Sequence, residues 1–231
     1  MSATLAESPM NRGPPRKAGP TAYLFWGITV PIAEVEAQRV EHGQVTGRRI
    51  GMRKVRYSCA MSLDGYIAGP DGEYDWIVMD PDFDFQAMSE QFDTYLLGRK
   101  TFEVTGSGAF PASSGSRTYV FSRTLRQSDY KTIPIIGENW KAVVQSLREE
   151  EGKDIWLFGG GSLFRSLAEE GLVDTVEVAI VPVLLGSGIP LIAEPATRIP
   201  LELKEHKLYQ KTGTVSLVYE VREPSPGGGN A

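Results

Sequence analysis

Asp154-Ile155-Trp156-Leu157-Phe158 runs directly into Gly159-Gly160-Gly161, and Ser162-Leu163-Phe164-Arg165-Ser166-Leu167 follows. The first five residues read as a short buried strand. Residues 162–170 place Leu163, Phe164 and Leu167 on one helical face, and Gly171 stops the helix. Glycines between a strand and a helix let the backbone approach a ligand closely, while the helix start offers unpaired N–H groups at a positive dipole end. A pyrophosphate suits that place; close helix–strand packing explains the same glycines equally well. The run is not G-x-G-x-x-G and lacks the lysine of a P-loop, so neither standard nucleotide fingerprint is present.

Outward from this unit the pattern repeats. Upstream, Trp140, Val143, Val144 and Leu147 fall at helical spacing behind Asn139 as N-cap, and Gly152 closes that helix. Downstream, residues 173–181 alternate Val176, Val178 and Ile180 as a long strand, and Val215, Leu217, Tyr219 and Val221 alternate in a last one. Nearer the start, 55–63 is β-rich and ends in the turn dipeptide Asp64-Gly65. Phe85, Met88 and Phe92 predict a helix over 84–93, and 94–97 and 117–121 are short strands. Strands alternating with helices make an α/β domain on a largely parallel sheet, which binds ligands at the carboxyl ends of its strands.

Two further segments lie at such ends: Gly98-Arg99-Lys100-Thr101 and Ser122-Arg123-Thr124. Each sets a hydroxyl beside a cationic side chain, a combination that binds phosphate. With the glycine loop they make three phosphate-binding loops on one sheet, enough for a dinucleotide with an additional phosphate: NADP rather than NAD. Met61-Ser62-Leu63-Asp64-Gly65-Tyr66-Ile67-Ala68-Gly69 offers a strand, a tight turn and small residues that could lie against a flat ring, or form an ordinary turn.

Composition sets the limits. The 231 residues are 41% hydrophobic and 23% charged, which excludes wholesale disorder and a multi-span membrane protein. One cysteine, Cys59, and two histidines, His42 and His206, exclude an internal disulfide and argue against a zinc centre, so no metal is expected. The net charge of −5 is uneven: residues 1–54 hold eight Lys/Arg and four Asp/Glu, whereas 55–231 hold sixteen and twenty-five. The body is too acidic for general nucleic-acid binding. Residues 1–51 read as a flexible extension rich in Pro and Gly near its start. Its apolar stretch 21–33 is too short for a membrane span, although Arg12, Arg16 and Lys17 ahead of it also fit a secretory signal. The domain proper is 52–223, and 224–231 is a disordered tail.

In this order the motifs resemble the dihydrofolate reductase-like superfamily, and within it the riboflavin-biosynthesis reductase domains and their stand-alone bacterial relatives. The residues that carry the resemblance are Ser62-Leu63-Asp64-Gly65-Tyr66-Ile67-Ala68, Leu97-Gly98-Arg99-Lys100-Thr101-Phe102-Glu103, Val120-Phe121-Ser122-Arg123-Thr124, Phe158-Gly159-Gly160-Gly161-Ser162 and 182–191. The resemblance covers about 55–223. It implies a three-layer α/β fold whose mostly parallel central sheet has an antiparallel C-terminal strand. It also implies NADPH-dependent reduction of a small heterocyclic or imine/carbonyl substrate. By the same analogy Gly98, Arg99, Lys100 and Thr101 hold the adenosine phosphate and pyrophosphate region, and Ser122, Arg123 and Thr124 flank the 2′-phosphate. Gly159, Gly160, Gly161, Ser162 and Leu163 cover the pyrophosphate, and Ala60, Ile67 and Ala68 line the nicotinamide, with 66–76 as the mobile loop.

Asp64 is a candidate substrate contact. Dihydrofolate reductases carry a carboxylate at the start of the first helix, and Asp80, Asp82 and Asp84 stand there, with Asp82 as the candidate acid; a capped helix terminus is the other explanation of the three. Riboflavin-pathway reductases usually have Glu directly before the glycine pair, where this chain has Phe158. A homodimer through the apolar stretch 176–185 and a cytoplasmic location complete the expectation. A non-catalytic NADP-binding module, a true 5-amino-6-(5-phosphoribosylamino)uracil reductase and a dihydrofolate reductase are the alternatives.

Overall fold

The strand that opens the domain, β1 (Val55–Ser62), has an apolar face of Val55, Tyr57 and Cys59 and a mixed face of Arg56, Ser58 and Ala60. Both faces are covered, which places β1 inside a sheet with layers on either side. The computed structural model describes residues 52–105 and 115–222; the expected extension 1–51 and the tail 224–231 lie outside the described residues. The elements after β1 are β2 (Tyr66–Ala68), α1 (Phe85–Ser89), β3 (Phe92–Gly98), α2 (Arg99–Thr105), β4 (Arg117–Phe121) and β5 (Ile135–Ile136). Then come α3 (Trp140–Glu149), β6 (Asp154–Gly159), α4 (Gly161–Glu169), β7 (Thr175–Val181), β8 (Ile189–Pro190), β9 (Leu201–Tyr209) and β10 (Thr214–Val221).

Eight strands form one sheet in the order β5-β4-β3-β6-β1-β7-β10-β9, and β2 pairs with β8 apart from it. Pairs from β5 to β7 are parallel, whereas β10 runs antiparallel to β7 and to β9. The parallel sheet with an antiparallel C-terminal strand is as the sequence leads one to expect. Residues Val144 and Leu147 of α3 and Phe164 and Leu167 of α4 cover one face through Tyr57, Leu157 and Val178; Tyr57 stacks on Phe164 at 4.0 Å. Phe102 of α2 and Phe85 and Met88 around α1 cover the other, over Phe92, Tyr95, Leu97, Trp156 and Phe158. The result is three layers.

At the amino edge of the strands Arg53 is buried. It donates to Thr94 Oγ1 (2.8 Å) and the carbonyl of Lys153 (2.5 Å), and forms an ion pair with Asp93. Chain entry and exit share this edge, because Arg56 lies beside Thr175 and Thr175 beside Glu220.

Some elements differ from expectation. The helix over 84–93 shrinks to α1, because Phe92 is fully buried as the first residue of β3. Its start is where the sequence places it: Asp84 caps the helix, accepting from the amide of Ala87 at 2.8 Å. Asn139 occupies the N-cap of α3, but with φ of 55° and no side-chain hydrogen bond to the helix. The stretch 176–185, expected to pair two copies, lies largely in β7, and Val176, Val178 and Val181 are core residues. Strand β9 carries no regular alternation in the sequence that predicts it. No helix among the described residues is long and apolar enough to cross a membrane.

Candidate active site

Three loops meet at the carboxyl ends of neighbouring strands. Leu97 of β3 lies beside Gly159 of β6, and Gly98 beside Phe121 of β4, so Gly98–Thr101, Ser122–Thr124 and Gly159–Leu163 emerge side by side. The separation in sequence is large, yet parallel register brings the two cation-bearing segments and the glycine run to one edge.

Glycine leaves this edge bare, and at Gly159 the backbone conformation calls for it. A Cβ on Gly98 would stand 3.5 Å from the carbonyl of Gly159, 3.6 Å from the amide of Gly160 and 3.8 Å from Leu163 Cβ. Gly159 has φ of +132°, a conformation that L side chains rarely adopt, and the Gly159-Gly160 peptide is cis. The nearest side-chain atom to Cβ positions on Gly159 and Gly160 is Thr101 Oγ1, at 3.8 and 3.5 Å. These residues form a bare backbone cradle with one hydroxyl over it, capped by the start of α4. That arrangement fits a pyrophosphate. Gly161 faces elsewhere: its Cβ would meet the carbonyls of Pro190 (2.7 Å) and Leu191 (3.1 Å).

The cationic residues divide. Arg99 is tied to Glu103 one helical turn on, at 2.9 Å, and is half-buried; Lys100 is exposed beside it. Ser122 is buried, its Oγ accepting from the amides of Thr124 (3.1 Å) and Leu125 (3.0 Å), so its hydroxyl shapes the turn. Arg123 and Thr124 are exposed at the end of β4.

The turn after β1 is fastened along its length. Leu63 donates to the carbonyl of Val183 (2.9 Å), Leu191 to that of Gly65 (3.0 Å), and β2 pairs with β8. Ile67 and Ala68 are therefore half-buried strand residues, not part of a free loop. Ala60 lies on the opposite face of β1 from Tyr57, buried with Ala179 and Val181 under Trp76, Ile77, Met79 and Phe85.

Asp64 completes this fastening. Its carboxylate accepts from Ser62 Oγ (2.6 Å) and from the amides of Gly186 (2.7 Å) and Leu185 (3.1 Å). The Ser62 hydrogen bond, aided by the two amides, holds its carboxyl below the ordinary value. A carboxylate held so is an acceptor that braces two loops rather than a proton donor near neutral pH. The lowered value means its contribution to stability is present above the ordinary carboxyl range, about 3.9, and is lost as pH falls through the folded value. Asp64→Asn therefore lowers the melting temperature most at neutral pH, and the gap to the parent closes below about pH 4. Thermal melts across pH check this; a gap that does not depend on pH contradicts it.

The three carboxylates before α1 have separate fates. Asp84 caps the helix. Asp82 is exposed and bonds Lys211 Nζ at 2.7 Å. Asp80, only 3% exposed, accepts from the amide of Asp82 and from the amide and hydroxyl of Thr212, all at 3.0 Å. Burial works against its charge, but these donors outweigh it and hold the carboxyl below its ordinary value. The burial of Asp80 is not marked in the sequence, where all three acids look alike.

Next to α4 runs an open groove of about 770 Å³, lined by Gly65, Pro190, Leu191, Ile192, Glu194, Pro195 and Ala196. That volume suits a small molecule. Arg165 Nη1 fixes its far wall by donating to the carbonyls of Glu194 and Pro195, both at 3.1 Å. No local signal marks 190–196 as lining. Burial pushes the Cys59 thiol up to about 12, which leaves it protonated and unreactive. Among the described residues no group of three or more His, Cys, Asp or Glu could hold a metal ion.

Comparison with known proteins agrees with this geometry. The family model of the RibD C-terminal domain matches residues 53–215. The uncharacterized protein YyaP of Bacillus subtilis (strain 168) is 37% identical over 179 residues, covering 72% of this chain and 94% of its own. A pyrimidine reductase-like protein from Corynebacterium diphtheriae superposes with a TM-score of 0.56 at 15% identity, over 74% of this chain and 93% of that one. Dihydrofolate reductase from Enterococcus faecalis complexed with NADP(H) superposes with a TM-score of 0.54 at 16% identity, over 74% and 97%. The fold is dihydrofolate reductase-like.

Proposed function

Because the chain belongs to the RibD C-terminal domain family, we propose that it is an NADPH-dependent reductase acting on a small heterocyclic or imine/carbonyl substrate. The observation that carries this is the meeting of Gly98–Thr101, Ser122–Thr124 and Gly159–Leu163 on three adjacent strand ends. The cradle of Gly98, Gly159 and Gly160 with Thr101 holds the pyrophosphate, Ser162 and Leu163 continue it along α4, and Arg99 and Lys100 supply charge. Arg123 reaches the 2′-phosphate, with Thr124 beside it and Ser122 setting the turn. Ala60, Ile67 and Ala68 shape the nicotinamide end. NADPH supplies a hydride when bound; the chain binds, orients and excludes water.

Asp64 and Asp82 act on the substrate side in this reading, Asp64 by holding the turn and Asp82 as the exposed acid near α1. Phe158 stands where riboflavin-pathway reductases usually have Glu. Its ring lies 5.5 Å from that of Trp156 in the core. An apolar residue there favours a substrate other than the ribityl-phosphate pyrimidine. A homodimer in the cytoplasm completes the proposal.

A ligand at a hundred times its Kd stabilises a fold by about 2.7 kcal/mol, so saturating NADPH raises the melting temperature by roughly 5–10 °C. NADH at the same concentration does less. Arg123→Ala weakens NADPH by about tenfold or more and leaves NADH unchanged. Thermal shift and titration read both; NADPH as inert as NADH sinks the cofactor assignment. Turnover assays with folates and pyrimidine ribityl-phosphates separate the substrate alternatives.

A further inference from the structure

We propose that the substrate is a flat organic cation, a cyclic iminium or N-alkylated heteroaromatic ring that carries no phosphate or carboxylate. The proposal rests on the reductase reading above and specifies what the ring end of the site accepts.

The two ends of the site differ in charge. Arg99, Lys100 and Arg123 stand at the strand ends that flank the glycine cradle. Beyond β1 and β7 the balance reverses: residues 63–85 hold seven Asp/Glu and no Lys or Arg, and residues 182–197 hold one Glu and no Lys or Arg. Lys211, from the turn between β9 and β10, reaches this segment and is held by Asp82 at 2.7 Å. A phosphate or carboxylate placed here gives up its water without gaining a partner charge, whereas a cation is attracted.

The walls at this end are apolar and aromatic. Trp76, Ile77, Met79, Phe85 and Val183 pack over Ala60, Ala179 and Val181. Leu63 donates to the carbonyl of Val183 at 2.9 Å, and Leu63 and Leu184 are 63% and 69% exposed, so the apolar surface continues outward. Trp76 is half-buried, and its indole N–H donates to the carbonyl of Glu73 at 3.3 Å, which pins the ring. Glu73 and Asp75 precede Trp76, and Asp80 and Asp82 follow Met79, so carboxylates border the aromatic wall in the chain on both sides. An aromatic face attracts a cation, and carboxylates at its rim add to the attraction.

The same carboxylates are acceptors, not proton donors. Asp64 accepts from Ser62 Oγ and the Gly186 amide, and Asp80 from the Asp82 amide and the Thr212 hydroxyl. Asp84 accepts from the Ala87 amide at 2.8 Å, Glu73 from the Asp71 amide at 2.9 Å, and Asp82 from Lys211. A neutral imine or carbonyl needs a proton as the hydride arrives. An iminium carbon does not. It takes the hydride as a new C–H bond, the π pair of C=N withdraws to nitrogen, and the positive charge passes to the nicotinamide that gave the hydride. Two electrons move, the substrate leaves as a neutral amine, and no proton is consumed.

Three probes built on one ring test this on the full chain: N-methylquinolinium, quinoline and quinoline-4-carboxylate. Calorimetric titrations at low salt, first without and then with NADPH, should rank them in that order, the cation binding about tenfold or more tighter than the anion. Trp76→Ala should weaken the cation by about threefold to thirtyfold, and Trp76→Phe should recover most of that loss. Asp75→Lys changes an exposed charge beside the same ring and should cut the cation-to-anion affinity ratio by about tenfold. Melting curves establish that each variant is folded. An anion that binds as tightly as the cation, a cation that does not bind at millimolar concentration, or a ratio indifferent to Asp75→Lys overturns the proposal. NADPH that neither binds nor shifts the melt removes the reductase reading instead, and the ranking of the probes on the chain alone is judged separately from it.

Discussion

Gly161→Val lowers the melting temperature by roughly 3–10 °C and removes measurable NADPH binding. The first Cβ of any residue there would stand 2.7 Å from the carbonyl of Pro190 and 3.1 Å from that of Leu191, and both are backbone atoms. They cannot swing aside as a side chain could, because Leu191 donates to Gly65 and Pro190 pairs with Tyr66. The start of α4 must move instead, and overpacking of this kind costs about 1–3 kcal/mol. The displaced helix start takes the pyrophosphate cradle with it. Gly160→Ala is the contrast. Its backbone is extended, at φ of −97°, and its Cβ meets only Thr101 Oγ1 at 3.5 Å. The fold is kept and NADPH weakens by about tenfold or more, because the methyl group fills the cradle. Calorimetric melts with a fluorescence titration of NADPH read both variants. A Gly161→Val protein that melts like the parent contradicts the contact with β8.

Trp156→Ala has a comparable or larger effect on stability alone. Trp156 is fully buried at the centre of the sheet, with ring centroids 4.8 Å from Phe92, 5.9 Å from Tyr95 and 5.5 Å from Phe158. Its indole N–H donates to the carbonyl of Ser58 at 3.2 Å. Truncation leaves a cavity among rigid aromatic rings and costs about 3–5 kcal/mol, a fall of roughly 6–20 °C in a domain of this size. Trp156→Phe keeps most of the volume and should recover more than half of the loss. Denaturant unfolding measures it; a loss under about 1 kcal/mol would mean that the aromatic cluster is not packed as described.

What could be read from residues alone follows from the range of the interactions. Residues 154–170 announce themselves because a buried strand, three glycines and an amphipathic helix are each local patterns. Residues 98–101 and 122–124 are legible for the same reason, each being a strand end followed by a hydroxyl and a cation. Their meeting is not local, and depends on β6 inserting between β3 and β1. Strand β9 is hidden twice: four of its nine residues are Glu or Lys, and the bulge at Lys204 breaks the period of two by which strands are recognised. Phe92 misled in the opposite direction, because its spacing from Phe85 and Met88 is helical while its burial belongs to β3. Asp64 could be recognised as a turn residue, but the Leu185 and Gly186 amides that engage it lie more than 120 positions away.

The sharing of one sheet edge by both chain crossings has a practical meaning. Since β1 leaves from, and β10 returns to, the edge where Arg53 is seated, a tether joined before residue 52 or after residue 222 attaches on the side away from the glycine cradle. The eight residues of β1 alone span about 26 Å from that edge to the other. A sensor chip, a fluorescent label or a neighbouring domain joined directly at residue 52 or 222 therefore sits on the side of the described domain away from the cradle. Among the described residues the handles lie on one side and the mouth on the other.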